Sequence, residues 1–232
     1  MITAASNSRI KRLVQLNQKS KLRRTEDVFL AEGVKMFLEA PREQLQEVYV
    51  SESFLEKCSC REHLEEVGYE VVSDSVFSKI SDTCTPQGVL CVLKQFHYNI
   101  EEMLRDKAPL FLLLENIQDP GNLGTMLRTG EGAGVSGIIM SRDTVDLYNP
   151  KVIRSTMGSI YRVPFYYADD FAAAVHQVQQ AGVSVYAAHL RGKNSYACQD
   201  YTKGTAFLIG NEGNGLREET AELADCYIRI PM

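Results

Sequence analysis

Apolar runs and the polar breaks between them divide the chain into short elements, and the clearest series begins at residue 110. Leu110 to Leu114 reads LFLLL, an unbroken apolar run of the length expected for a strand buried on both faces. A turn signal follows at Asp119-Pro120-Gly121, with Asn122 placed to cap a helix. Leu123, Met126 and Leu127 recur at helical spacing and form a core-facing stripe, with Arg128 off that stripe, one turn beyond Gly124. Gly130, Gly132 and Gly134 stop the helix, and residues 135–140 read as a second strand. Strand, helix and strand in this order make the unit of a parallel sheet. Such sheets gather ligands just beyond the carboxyl ends of their strands, where Asn122 and Arg128 fall.

The same pattern divides the first part of the chain. Ser6-Asn7-Ser8 offers a helix cap, and Ile10, Leu13, Val14 and Asn17 mark one helix face. A basic loop is expected over residues 19–25, strands over 28–31, 47–50, 69–72 and 88–93, and helices over 34–40, 52–67 and 76–80, with Pro41 ending the first of these. Residues 94–108 are polar and charged, with a partly helical stretch at 100–105. The expected organisation is a small α/β domain over residues 1–96, a linker over 97–108 and a larger parallel-sheet α/β domain over 109–232. In the latter, helices are expected at 151–157, 171–180 and 217–223, with strands at 183–188 and 206–210.

Charge changes this picture at one end. The formal net charge is −5, yet residues 1–24 hold Arg9, Lys11, Arg12, Lys19, Lys21, Arg23 and Arg24 and no acidic residue. That asymmetry points to a local polyanion contact or to a solvated amphipathic helix. The six cysteines form no C-x-x-C pair, no histidine stands at zinc-finger spacing, and no metal site is expected. No apolar run reaches 18 residues and the N-terminus lacks a signal-peptide core, so the expected location is the cytoplasm, with no membrane contact. Residues 132–137, GAGVSG, match G-x-G-x-x-G. A dinucleotide site needs those glycines between a strand and the helix it opens; here they close a helix and precede a strand, so that reading is rejected.

Several stretches resemble one family. DPGNLGTMLRT, residues 119–129, is similar to the first motif of the SpoU (TrmH-like) SPOUT RNA methyltransferases, which pairs an Asn with an Arg six residues on, here Asn122 and Arg128. GNEGNGL, residues 210–216, resembles the second motif, and residues 227–232 the opening of the third. IRSTMGSIYRVPF, residues 153–165, also looks like the family. FLAEG and SDTCTPQGVLCVL, at residues 29–33 and 81–93, resemble the small L30e-like RNA-binding domain that many members carry.

The resemblance implies a fold and a chemistry. The fold is a SPOUT α/β knot domain preceded by an L30e-like domain, working as a homodimer. The reaction is transfer of a methyl group from S-adenosylmethionine to a ribose 2′-oxygen of RNA, 23S ribosomal RNA being the expected substrate. Arg128 would act at the ribose hydroxyl, Asn122 would order the loop or the RNA backbone, and Glu212 would position Arg128 or a neighbouring loop. Backbone groups of Ala188, Gly210 and Ile230, at three strand ends, would hold the cofactor, and His189 lies close by. Arg9, Arg12, Arg23, Arg24 and Arg154 are candidate RNA contacts. The family would continue beyond Met232 with a Ser-Leu-Asn segment and a final helix, threaded into the trefoil knot, that adds cofactor contacts and dimer interface; this segment is expected to be missing from the sequence. The alternative reading is a non-catalytic RNA-binding protein that kept the fold.

Overall fold

The structure is a computed structural model that describes residues 1–105 and 107–231, Asn194 by its backbone alone. Asp106, in the expected linker, and Met232, at the end of the expected third motif, lie outside the described residues. In chain order the first elements are α1 (Ser8–Gln18), α2 (Ser20–Glu26), β1 (Val28–Glu32), α3 (Val34–Leu38), β2 (Leu45–Ser51), α4 (Glu52–Lys57), α5 (Arg61–Val67), β3 (Glu70–Val72), α6 (Asp74–Ile80) and β4 (Val89–Lys94). Then come α7 (Ile100–Met103), β5 (Leu110–Leu114), α8 (Pro120–Ala133), β6 (Gly137–Ser141), α9 (Pro150–Thr156), β7 (Phe165–Ala168), α10 (Phe171–Gln180), β8 (Ser184–Ala188), β9 (Asn194–Ser195), β10 (Thr205–Ile209), α11 (Glu218–Ala221) and β11 (Cys226–Arg229). The chain divides into two compact units, one of residues 1–96 with 146–161, the other of residues 97–145 with 162–232.

The first unit is built on a four-stranded sheet in the order β1-β4-β2-β3, with β4 antiparallel to both neighbours and β2 parallel to β3. Asn7 caps α1 by accepting from the Arg9 amide at 2.9 Å, and Ile10, Leu13 and Leu16 bury the helix face against Leu30, Tyr49, Phe77 and Leu90. Residues 20–26, expected as part of a basic loop, form α2. The reason is Arg23, only 3% exposed. Its guanidinium donates to the carbonyls of Leu16 (2.6 Å) and Asn17 (3.2 Å), where α1 ends, and to Asp146 Oδ2 at 2.6 Å. A residue that reads as part of a solvated charge run therefore satisfies orphan helix carbonyls.

Residues 146–161 follow β6 in sequence yet pack in the first unit. The Tyr148 ring lies 4.8 Å from Phe29, its hydroxyl donates to the Phe96 carbonyl at 3.0 Å, and the Tyr161 hydroxyl donates to the Met36 carbonyl at 3.0 Å.

The second unit carries a seven-stranded sheet in the order β7-β6-β5-β10-β8-β11-β9, every pairing parallel. β7 was not legible as a strand: it is a four-residue edge element whose two tyrosines are half-buried. Residues 97–108, expected as a linker, contribute α7, whose Ile100 and Met103 are buried in this unit's core with Val175, Val185 and Leu208. The helix after β5 also differs in detail. Asp119, not Asn122, is the N-cap, accepting from the Asn122 amide at 2.7 Å, with Pro120 opening the helix where a missing N–H costs nothing. The buried stripe is Leu123, Gly124, Leu127 and Gly130; Gly130 and Gly132 lie inside the helix, which ends in left-handed Gly134. On one sheet face Leu112, Phe207 and Tyr186 align in register across β5, β10 and β8 and stay half-exposed.

Removing the Arg23 guanidinium would strand the Asp146 carboxylate and two carbonyls together. Arg23→Ala is expected to cost about 2–4 kcal/mol in urea unfolding, and exposed Arg24→Ala less than about 0.5 kcal/mol. Equal, small losses in both would show that the pair contributes nothing.

Candidate active site

β5 and β10 are neighbours, but the chain leaves them in opposite directions. From β5 it runs to β6 and β7 on one side of the sheet, while the far side of β10 is occupied by β8 and β11. The strand order thus reverses between β5 and β10, and the loops beyond their carboxyl ends flank a crevice of the kind in which open α/β sheets bind ligands. Those loops are residues 115–119 and 210–217.

Hydrogen bonds join the two loops. Glu115 N donates to the Ile209 carbonyl at 2.9 Å, and Asn211 Nδ2 to the Asn116 carbonyl at 2.8 Å. Asn211 Oδ1 accepts from the amides of Gly213 and Asn214, both at 3.0 Å, and closes its own turn. The Glu212 carboxylate reaches across to accept from the amides of Gln118 (3.1 Å) and Asp119 (3.0 Å) and from Asn122 Nδ2 (3.2 Å). Partial burial alone would raise the Glu212 pKa; the backbone amides and Asn122 outweigh it and hold the group below its ordinary range. Gly210 must be glycine, because an added Cβ would sit 2.2 Å from Leu216 N and 2.3 Å from the Gly215 carbonyl carbon.

A second network lies behind the first. Glu115 is 1% exposed and accepts from Arg217 N at 2.8 Å and from the Thr220 hydroxyl at 2.5 Å. The Arg217 guanidinium bonds Asp143, whose other oxygen accepts from Ser141 Oγ at 2.5 Å. Partial burial would raise the Asp143 pKa, but the Ser141 and Arg217 bonds together lower it; the Asp143 bond raises that of Arg217. Sequence reasoning missed this set. Its one signal was a carboxylate directly after a wholly apolar strand, where a charge stays buried only if paired.

Asn122 and Glu212, from stretches 90 residues apart, are therefore brought into contact. Arg128 shares α8 with Asn122 but is bonded to neither; it is exposed and makes no hydrogen bond or ion pair with the described residues. Ala188, Gly210 and Ile230 stand at or just beyond the carboxyl ends of β8, β10 and β11, three adjacent parallel strands. Beside them the His189 ring lies 5.0 Å from that of Tyr227, with the Arg191 guanidinium 5.7 Å from the Tyr227 centroid.

Comparison with known proteins decides the family. The SpoU rRNA Methylase family matches residues 109–232, more than half the chain, and the MRM3-like substrate binding domain matches residues 7–91. The chain belongs to the SpoU rRNA methylase family. It is 30% identical over 234 residues to the Bacillus subtilis 23S rRNA (guanosine(2553)-2'-O)-methyltransferase RlmP, covering 100% of this chain and 90% of that protein. The AdoMet-bound rRNA methyltransferase from Sinorhizobium meliloti superposes with a TM-score of 0.83 at 29% identity, covering 100% of this chain and 88% of that one. The SpoU methyltransferase AviRb from Streptomyces viridochromogenes, at 23% identity, shares the fold with a TM-score of 0.87 over 97% of this chain and 89% of that one.

The arginines singled out for RNA in this SpoU-family chain are differently placed. Arg23 is a correction: buried and triply bonded, it has no face to offer a phosphate. Arg9 pairs with Glu70 at 2.9 Å and Arg12 with Glu26 and Glu47, both at 2.7 Å. Arg24 is exposed without an ion pair among the described residues, and so are Lys11, Lys19 and Lys21. Arg154, expected in the second domain, lies in the first unit and reaches Asp82 at 3.4 Å. Among the described residues, no group of three or more His, Cys, Asp or Glu is arranged to hold a metal ion.

Glu212→Ala is expected to speed hydrogen exchange at the Gln118 and Asp119 amides about tenfold or more, since each loses a charged acceptor. Its depressed pKa gives the pH direction. The stabilisation is complete above the ordinary glutamate range and is lost as pH falls through the lower folded value. Exchange at these amides measured at pH 7 and at pH 3 checks both; equal protection in variant and parent would remove Glu212 from this role.

Proposed function

We propose that this SpoU-family chain is a ribose 2′-O-methyltransferase that uses S-adenosylmethionine and acts on large-subunit ribosomal RNA. One observation carries the reading: Asn122 and Glu212 meet at the switch-point crevice, at the head of the helix that bears Arg128, which has no partner among the described residues. The name of the Bacillus subtilis relative, which specifies 2′-O-methylation of 23S RNA, supports the substrate.

The strand ends fit the cofactor. Gly210 packs directly on the 215–216 backbone of its own loop, which leaves backbone groups to meet a ligand at this strand end, and Ala188 and Ile230 bring a small and an apolar side chain to the neighbouring strand ends. When bound, S-adenosylmethionine supplies a methyl group already activated by its sulfonium. The protein's task is then alignment and charge stabilisation. The Arg128 guanidinium, a planar cation with several donors, acts as an electrostatic partner for the ribose 2′-oxygen during methyl transfer and orients the adjacent phosphate. Asn122 commits its Nδ2 to Glu212, which leaves Oδ1 to accept from the RNA. Glu212, held ionised, fixes both the loop and Asn122.

RNA phosphates are held by Lys11, Lys19, Lys21 and Arg24, whereas Arg9, Arg12 and Arg154 are engaged by carboxylates of the same chain. The working form is a cytoplasmic homodimer with a knotted C-terminal segment. The half-exposed row Leu112, Phe207 and Tyr186 supports a second subunit, since such a face is costly in water. No helix among the described residues is long and apolar enough to cross a membrane.

The direct test is transfer of labelled methyl from S-adenosylmethionine to bulk ribosomal RNA. Arg128→Ala is expected to lower kcat about a hundredfold or more while cofactor affinity stays within about twofold. Arg128→Lys should also be poor, lacking the planar fork. RNA binding without any methyl transfer by the parent protein would favour a non-catalytic RNA-binding protein.

The basic arm makes a separate prediction. Replacing Lys19, Lys21 and Arg24 by Ala should flatten the salt dependence of RNA binding by about 2 in log–log slope, with cofactor binding unchanged. An unaltered slope would make the arm a solvated face.

A further inference from the structure

We propose that a cleft in the first unit receives one unpaired base of the RNA; the inference rests on the RNA-methyltransferase reading and adds a second recognition point to it. The cleft encloses about 410 Å³. That falls within the range of about 300–1,000 Å³ typical of ligand pockets. Its walls come from the β1–α3 turn, from residues 82–87 and from α9 with its C-terminal Met157.

The cleft is electrically balanced, and that decides what it can hold. The Glu32 carboxylate is spent on its own wall: it accepts from Ser81 Oγ at 2.8 Å, Thr83 Oγ1 at 3.0 Å and the Asp82 amide at 3.3 Å. Lys35 pairs with Glu39 and Arg154 with Asp82. No net positive charge is left to draw in a phosphate. The walls offer instead apolar surface from Met36 and Met157 and one directed donor, Gln87. Its Oε1 accepts from the Val34 amide at 3.0 Å, so its Nε2 is turned away and bonds none of the described residues. An apolar slot with a fixed donor suits a nucleobase, which stacks by its face and presents acceptors at its edge.

Two backbone features lie in the walls of the slot. Gly33 has φ +114°, and a Cβ there would meet Gln87 Oε1 at 3.0 Å. Met157 is 41% exposed yet sits at φ 51°, a left-handed conformation that glycine would adopt without strain. A large exposed apolar side chain kept on strained backbone at the rim of a cleft is the mark of a contact surface.

Met157→Gly removes that surface while relieving the backbone, so the variant is expected to melt at or above the parent temperature. With the full chain and an in vitro transcript of large-subunit RNA, its KM for RNA should rise about fivefold or more, with kcat within about twofold and cofactor affinity unchanged. Gln87→Ala should act in the same direction. Independently of turnover, octanucleotides of A, C, G or U added to methyl-¹³C-methionine protein should shift the Met36 and Met157 resonances and leave buried Met140 in place. An unchanged KM in both variants, or RNA binding that moves neither methyl, overturns the proposal. Absence of methyl transfer by the parent protein counts against the enzymatic reading alone, and the resonances still decide the cleft.

Discussion

A parallel sheet that reverses direction between two neighbouring strands leaves their outgoing loops with no ladder to join them. Here the Glu212 carboxylate spans that gap, taking two backbone amides and the Asn122 amide from the opposite loop. The arrangement of the site depends on it. The start of α8, the direction of Asn122 and the line along which Arg128 is presented all follow from where residues 118–122 are held. The carboxylate needs its charge for this, and the donors that it organises keep it charged. Behind it, buried Glu115 ties residues 217 and 220 to the end of β5, so the second loop is anchored at both of its ends.

Charge use in the rest of the molecule follows a related rule. Arg9, Arg12, Arg23, Arg154 and Arg217 are all engaged by carboxylates of the same chain, and what they contribute is local architecture. Among the cations without ion pairs within the described residues, Lys11, Lys19, Lys21 and Arg24 fall together in residues 11–24, and Arg128 stands on the helix beyond the crevice. An acidic chain can in this way keep discrete sites for a polyanion, because screening makes the nearest charges count for more than the distant total.

Much of this was legible in the residue pattern. β5 and β10 announce themselves as apolar runs, α8 follows a Pro-Gly turn, and the two polar stretches at 119–129 and 210–216 stand at strand ends. What could not be read depends on contacts distant in sequence. Arg23 looks like a member of a basic loop until its partner Asp146, 123 residues away, is in place. Residues 146–161 read as a continuation of the larger domain, yet Tyr148 and Tyr161 bury themselves against Phe29 and Met36. α7 reads as linker because its few apolar positions gain meaning only against the core they fill. Asn122 was taken for a cap because Asn and Asp both suit that role; Pro120, fitted for the first helical position, assigns it to Asp119.

The central claim is that cofactor chemistry takes place at the crevice between β5 and β10. Hydrogen–deuterium exchange of the full chain with and without saturating S-adenosylmethionine tests it most directly. The account predicts added protection in residues 115–122, 186–190 and 209–217, on both sides of the crevice and at the neighbouring strand end, with exchange in the four-stranded sheet of the first unit unchanged. Protection confined to other segments, or none at a cofactor concentration that saturates binding, would contradict it.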